Sequence, residues 1–228
     1  MISHKHKCIY IHIPKTAGTS IKYFLFPDKE IHWFNANYDV IHGWCPKRKI
    51  YMQHATAKQL IETNLITKQQ WETYYKFSFV RNPWDRAISD YYWLMNDQNI
   101  KDSFKNYLDK AGRFTKVLND KSEIHYRGDH LYPQSSYFDT EGIHKIDFVG
   151  RFENFTEDMN FVLKQIGVNQ SFDTHINVSK RTKKHYSKMY TDMLKEKLET
   201  LYQDDIYSFG YNFDDQRTSI DKIKLLFS

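Results

Sequence analysis

The run Pro14-Lys15-Thr16-Ala17-Gly18-Thr19-Ser20 puts one ammonium, three hydroxyls and a glycine side by side. Such a set suits a phosphate or sulfate. Backbone N–H groups at a helix start face the anion, the glycine lets the backbone approach it, and the Lys15 ammonium with the Thr16, Thr19 and Ser20 hydroxyls adds charge and donors. The order differs from the nucleotide-triphosphatase loop G-x-x-x-x-G-K-[ST]. Here the lysine precedes the glycine, and no serine or threonine follows a Gly-Lys pair to hold magnesium. A phosphate loop without that metal ligand points to a different nucleotide. The elements that must position it are legible: Ile9, Ile11 and Ile13 alternate as a strand, Pro14 ends the ladder, and Ser20 to Leu25 turns helical.

The rest of the chain alternates strand and helix. Lys49 to His54 reads as a short strand and Ala55 to Ile61 as the helix after it. His54 is then at a strand's carboxyl end, where open α/β sheets place ligand chemistry. Thr67 caps a helix through Tyr75, Phe77 to Val80 is an apolar strand, and Pro83 starts a helix to Leu94 with Ala87, Ile88, Tyr91 and Tyr92 on its inner face. Residues 97 to 118 are weakly helical around Gly112, and 119 to 142 are irregular. Lys145 to Arg151 reads as a strand, Asn154 to Gly167 as an amphipathic helix, and Tyr190 to Tyr207 as another helix. This pattern predicts an α/β three-layer sandwich with a mostly parallel central sheet and a P-loop-like strand-loop-helix.

With 228 residues, 40% hydrophobic and 17% aromatic, one globular domain is expected, its core at about 8–213 and a tail from Asp214 to Ser228 in which Ile223, Leu225 and Leu226 pack as a terminal helix. The net charge of +5 is spread along the chain, which suits an anionic small ligand rather than nucleic acid. No stretch approaches the ~20 apolar residues of a membrane span. No apolar signal region precedes Cys8, so cytoplasmic residence is the expectation. Cys8 and Cys45 are read as reduced packing thiols, and residues 28–48 as a long surface segment.

The order P-K-T-A-G-T-S after an apolar strand resembles the 5′-phosphosulfate loop of sulfotransferases that use 3′-phosphoadenosine 5′-phosphosulfate (PAPS). The stretch Phe77-Ser78-Phe79-Val80-Arg81-Asn82-Pro83-Trp84-Asp85-Arg86-Ala87-Ile88-Ser89-Asp90-Tyr91-Tyr92 resembles the same enzymes' 3′-phosphate element. Pro133-Gln134, Asp147 to Asn154, Asp204-Asp205 and Phe209-Gly210-Tyr211 extend the likeness to bacterial members of the carbohydrate-type group, sulfotransferase family 2. The resemblance implies PAPS as co-substrate, adenosine 3′,5′-bisphosphate as product, and a sugar, glycoconjugate or other hydroxyl as acceptor. It implies that residues 14–20 hold the 5′ side, that Arg81 and Ser89 bind the 3′-phosphate, and that the basic run Lys180 to Tyr186 covers the nucleotide, with Arg181 or Lys183 reaching the 3′-phosphate.

Sulfuryl transfer is an in-line displacement, so a cation at the leaving oxygen and a base at the acceptor are needed, by analogy with phosphoryl transfer. Lys15 suits the first role. His54 suits the second, with His42, His130 and Asp129 in reserve; His12 is read as a core residue of the first strand. Arg86 and Asp85 are read as a solvated pair. Among Trp33, Trp44, Trp84, Tyr91, Tyr92 and Trp93 there is room for sugar-stacking rings. No metal is expected, because neither paired carboxylates nor a His/Cys cluster adjoins Lys15 in the sequence. A phosphotransferase with a divergent loop and an inert nucleotide-binding protein remain as alternatives.

Overall fold

The structure, a computed structural model, describes residues 1–172 and 184–226. In chain order its elements are β1 (Ile2–Ser3), β2 (Cys8–Ile11), α1 (Gly18–Leu25), β3 (Trp44–Cys45), β4 (Ile50–Tyr51), α2 (Ala57–Glu62), α3 (Lys68–Thr73) and β5 (Tyr75–Val80). Next come α4 (Pro83–Asp97), α5 (Phe104–Leu108), α6 (Thr115–Asn119), β6 (Phe148–Arg151), α7 (Phe155–Gln165), α8 (Asp192–Leu201), α9 (Gln203–Phe209) and α10 (Ser219–Leu226). They form two compact units. One is built from Met1–Val80, Lys121–His125 and residues 134–172, the other from Arg81–Asp120, Tyr126–Pro133 and residues 184–226.

The first unit holds the expected α/β sheet. Its strands lie in the order β1-β2-β5-β6. β2, β5 and β6 are parallel, with Tyr10 opposite Phe77 and Phe77 opposite Phe148, and β1 is antiparallel to β2. The carboxyl ends of β2, β5 and β6 therefore share one edge. Cys8, Tyr10, Phe77 and Phe79 turn to one face and pack with Ile21 and Leu25 of α1 and Met159, Val162 and Leu163 of α7. Gly150 of β6 is forced by this packing, since a Cβ there would stand 2.5 Å from the Phe79 ring. Both cysteines are buried free thiols.

Several expectations change. His54 does not end a strand of the main sheet. Ile50–Tyr51 pairs only with Trp44–Cys45 in a separate two-stranded sheet. Met52–His54 then closes into a 3₁₀ turn, because Met52 N–H and the Gln53 amide oxygen are both taken by Gly43. Residues 28–48 are only partly surface: Val40 to Cys45 are buried, and Val40 carbonyl accepts from Ile2 N–H. β2 stops at Ile11, which leaves His12 half-buried beyond the strand.

In the second unit α4 runs on to Asp97, with Asn82 as its cap accepting from Trp84 and Asp85 N–H. Ala87, Ile88, Tyr91 and Leu94 are buried on it, and the Tyr91 ring meets Phe104 and Tyr107 of α5. The single helix expected over 190–207 is two, α8 and α9, parted at Tyr202, whose backbone leaves helical angles and whose side chain is buried. The tail is anchored through Phe213, in ring contact with Trp84, Tyr186 and Tyr190, and through Arg217, which donates to Tyr190 carbonyl and pairs with Asp192 and Asp215. Ile223 is exposed, contrary to its expected apolar packing, and the side chains of Leu225 and Leu226 lie outside what is described. No helix among the described residues is long and apolar enough to cross a membrane.

Phe77 is fully buried between β2 and α7, stacked on Tyr10 at 5.1 Å. Phe77→Ala is expected to lower unfolding free energy by about 3–5 kcal/mol, read as a lower urea midpoint at unchanged slope.

Candidate active site

The chain leaves β2 at the shared sheet edge and forms the loop from Pro14 to Ser20. Lys15 and Ala17 both take left-handed angles, φ 72° and 67°. Two such non-glycine residues are uncommon and concentrate where function demands a set backbone. The Thr16 hydroxyl donates to Ile13 carbonyl at 2.7 Å, and Tyr10 hydroxyl meets Thr16 oxygens at 3.4 Å. Thr16 is fully buried, so its hydroxyl closes the loop from within. Pro14 and Ser20 are buried, and Lys15, Ala17 and Thr19 half-buried. Burial, against the weaker pull of the Thr16 bond, pushes the Tyr10 phenol far above its ordinary range, which keeps it a donor.

Helix α1 starts directly from this loop. Ala17, at its cap, gives no side-chain hydrogen bond, and no acidic residue stands in the first turn. The first-turn N–H groups of a helix have no partner within it, and the positive end of its dipole favours an anion. Gly18 is required here by close approach, since a Cβ would lie 1.9 Å from His12 Nε2.

The imidazoles of His12, His54 and His42 belong to the same unit as the loop. His12 stacks on Tyr10 at 5.4 Å, and its edge contact with the His54 ring is 5.0 Å. His54 also meets the Tyr51 ring at 6.1 Å, and Tyr51 meets Trp33 at 6.3 Å. Trp33 is 42% exposed, whereas Trp44, Trp84 and Tyr91 are buried and so are unavailable as stacking surfaces. His42 is buried, and among the described residues its Nδ1 has no partner. Burial first, then the Lys22 ammonium and His54, lowers His42 from 6.5 to about 3.

In the second unit Arg81 directly follows β5, and its guanidinium binds Asp85 at 2.6 and 2.9 Å. Asp85 thus pairs with Arg81, four residues away, and not with Arg86 as the sequence suggested. Arg86 is no solvated partner at all. It is buried and donates to the carbonyls of His130 (3.0 Å) and Tyr132 (2.9 Å). Ser89 is half-buried on α4. Asp90, next to it, is buried and binds His130 Nδ1 at 2.6 Å. Arg181 and Lys183 lie outside the described residues.

Residues 1–212 match the model of the sulfotransferase family. The chain belongs to that family. As a sulfotransferase relative it is 24% identical over 237 aligned positions to carbohydrate sulfotransferase 9 of Homo sapiens, covering 92% of this chain and 51% of that protein. This sulfotransferase therefore spans about half the length of that human relative. It is 32% identical over 119 positions to an uncharacterized protein of Archaeoglobus fulgidus, covering 51% of this chain and 87% of that one. Among solved structures, a sulfotransferase from Alicyclobacillus acidocaldarius aligns with a TM-score of 0.35 and 23% identity, over 68% of this chain and 62% of that one.

Sequence reasoning passed over Asp90 and the contact of His12 with the loop of this sulfotransferase. A signal for Asp90 existed: a carboxylate beside Tyr91 and three residues from Ala87, on the apolar stripe of α4, is costly unless a partner meets it. Nothing in the sequence placed His12 over Gly18.

Gly18→Ala is expected to cost about 1–3 kcal/mol by overpacking against His12. Adding His12→Ala should return part of that loss, a coupling read from a double-mutant cycle of urea melts. His42 binds a proton in the unfolded chain near pH 6.5 but in the folded chain only near 3. Its stabilising contribution is therefore full above 6.5 and lost as pH falls toward 3. Melts at pH 7 and pH 5 should show a smaller drop for His42→Gln than for the native chain.

Proposed function

We propose that this sulfotransferase moves the sulfuryl group of PAPS to a hydroxyl of a carbohydrate or glycoconjugate. The observation that carries the reading is the loop Pro14–Ser20, set by two left-handed residues and opening into an uncapped, acid-free helix start. Such a start suits the 5′-phosphosulfate. The proposed cradle comprises the backbone of Pro14, Thr16, Ala17, Gly18 and Thr19 with the Ser20 hydroxyl. Lys15 neutralises charge at the oxygen that leaves sulfur. Arg81 and Ser89 are proposed for the 3′-phosphate, with Asp85 holding the Arg81 guanidinium in one orientation. His54, in ring contact with His12 beside the loop, is proposed to take the proton of the acceptor hydroxyl.

A carbohydrate acceptor is supported by the row Trp33, Tyr51, His54, in which an exposed indole stands one ring away from the tyrosine that touches His54. Aromatic faces of this kind stack on the apolar faces of sugars, and the human relative is named a carbohydrate sulfotransferase.

Calorimetric titration with adenosine 3′,5′-bisphosphate, beside ATP with magnesium, tests the reading. Preference for the bisphosphate is expected, with affinity reduced at least tenfold in Arg81→Ala and in Lys15→Ala. Preference for magnesium ATP would instead support a phosphotransferase. His54→Ala is expected to keep bisphosphate affinity within about threefold and lower PAPS turnover by about 10²–10⁴-fold, the range of general base catalysis.

A further inference from the structure

The tail from Phe213 onward lies past the residues that match the family, and the proposed roles leave it unused. It is nonetheless tightly attached within its own unit. Phe213 is wedged among the rings of Trp84 (5.5 Å), Tyr186 (5.5 Å) and Tyr190 (5.7 Å), while Lys195 and Arg217 stand over its ring at 5.5 and 5.4 Å. The backbone continues the attachment: Asp214 N–H donates to the Tyr186 hydroxyl at 2.7 Å, and Gln216 N–H to the Ser187 hydroxyl at 3.1 Å. Arg217 closes it. Its side chain is 2% exposed, donates to Tyr190 carbonyl at 2.8 Å and pairs with Asp192 of α8 at 2.9 Å.

What this segment holds is the turn that carries Arg81. Asn82 Nδ2 donates to Asn212 carbonyl at 3.3 Å, while its Oδ1 accepts from Trp84 and Asp85 N–H at the start of α4. One amide thus joins the tail to the helix. The Tyr186 hydroxyl also hydrogen-bonds the Asn82 side chain, and the Tyr190 hydroxyl donates to Trp84 carbonyl at 2.8 Å. Both tyrosines touch Phe213. Asp85, whose N–H is tied to Asn82, is in turn the carboxylate that orients the Arg81 guanidinium at 2.6 and 2.9 Å. Every residue from Phe213 to Arg81 in this relay belongs to the second unit.

A guanidinium gives a phosphate paired hydrogen bonds only while its plane is held, so a small displacement of the helix start that carries it weakens the contact. We propose that Phe213 to Arg217 form a positioning strap for the 3′-phosphate site. The strap fixes the start of α4, and through it Asp85 and Arg81, in the orientation that binds a phosphate on the ribose 3′ oxygen. This rests on the sulfotransferase reading, and it makes recognition of the 3′-phosphate depend on residues that touch no nucleotide.

The test measures the affinity of the full chain for adenosine 3′,5′-bisphosphate and for adenosine 5′-phosphate, whose ratio reports the 3′-phosphate alone, together with thermal melting. The native chain is expected to prefer the bisphosphate by about tenfold or more, the worth of one charge-assisted contact. Phe213→Ala should lower that ratio about fivefold while affinity for the 5′-phosphate stays within about twofold, and Phe213→Tyr, which keeps the ring, should retain the native ratio. In an Arg81→Ala background Phe213→Ala should lower the ratio no further, because the strap acts through the guanidinium. A Phe213→Ala chain that melts lower yet keeps the native ratio overturns the inference, since the tail is then structural only, and leaves the sulfotransferase reading standing. Should Phe213→Ala not fold, Arg217→Gln decides in its place, because it frees the end of the strap and leaves the rings around Trp84 intact. A lowered ratio in Arg217→Gln supports the strap, and an unchanged one overturns it. A native chain that does not distinguish the two nucleotides overturns the sulfotransferase reading and the strap together.

Discussion

The parallel pairing of β2 with β5 is the constraint on which the first unit depends. It sets Tyr10 opposite Phe77, so two stacked rings carry the core up to the sheet edge where β2 ends. His12 continues the stack one position beyond the strand, and the Tyr10 hydroxyl reaches into the loop at Thr16. The loop's left-handed residues, which are unfavourable in isolation, are thereby tied down from below by buried hydrogen bonds and ring contacts. Exposed polar chemistry at the edge rests on apolar packing beneath it.

The second unit meets a different demand. Arg86 and Asp90 are buried on the inner side of α4, where each needs partners. Arg86 finds two carbonyls of the irregular stretch near His130, and Asp90 finds Tyr107 and His130. A segment with no regular period is thereby held to one geometry by polar contacts. Removing one partner of such a network leaves another buried and unsatisfied, which is why conservative variants report on it best.

The family was legible from short motifs because a phosphate loop is local. Lysine, glycine and hydroxyls a few residues apart already dictate the turn and the helix start, and an apolar alternation before them dictates the strand. The Arg81-Asn82-Pro83 turn is legible for the same reason: Asn82 caps and Pro83 opens the helix whatever packs on it. His54 was harder to place. Its strand-like run Lys49 to Tyr51 pairs with residues 44–45 and not with the main sheet, and pairing partners are set by contacts distant in sequence. The Asp85 pairing went astray because adjacent charges in sequence point to different sides of a helix, whereas residues four apart share one.

By itself, the sequence determined the local elements of this sulfotransferase: the strand before the loop, the basic hydroxyl-rich turn, the helix capped at Thr67, the helix opened by Pro83, and the alternation that makes the sheet parallel. Each follows from interactions within a few residues, which propensity and periodicity encode directly. Only the tertiary structure decided which histidine meets which partner. His12 lies against Gly18 and His54, while His130 lies against Asp90, forty residues away in the chain. Those juxtapositions come from strand pairing and helix packing, whose energy is summed over the whole apolar core and written at no single position.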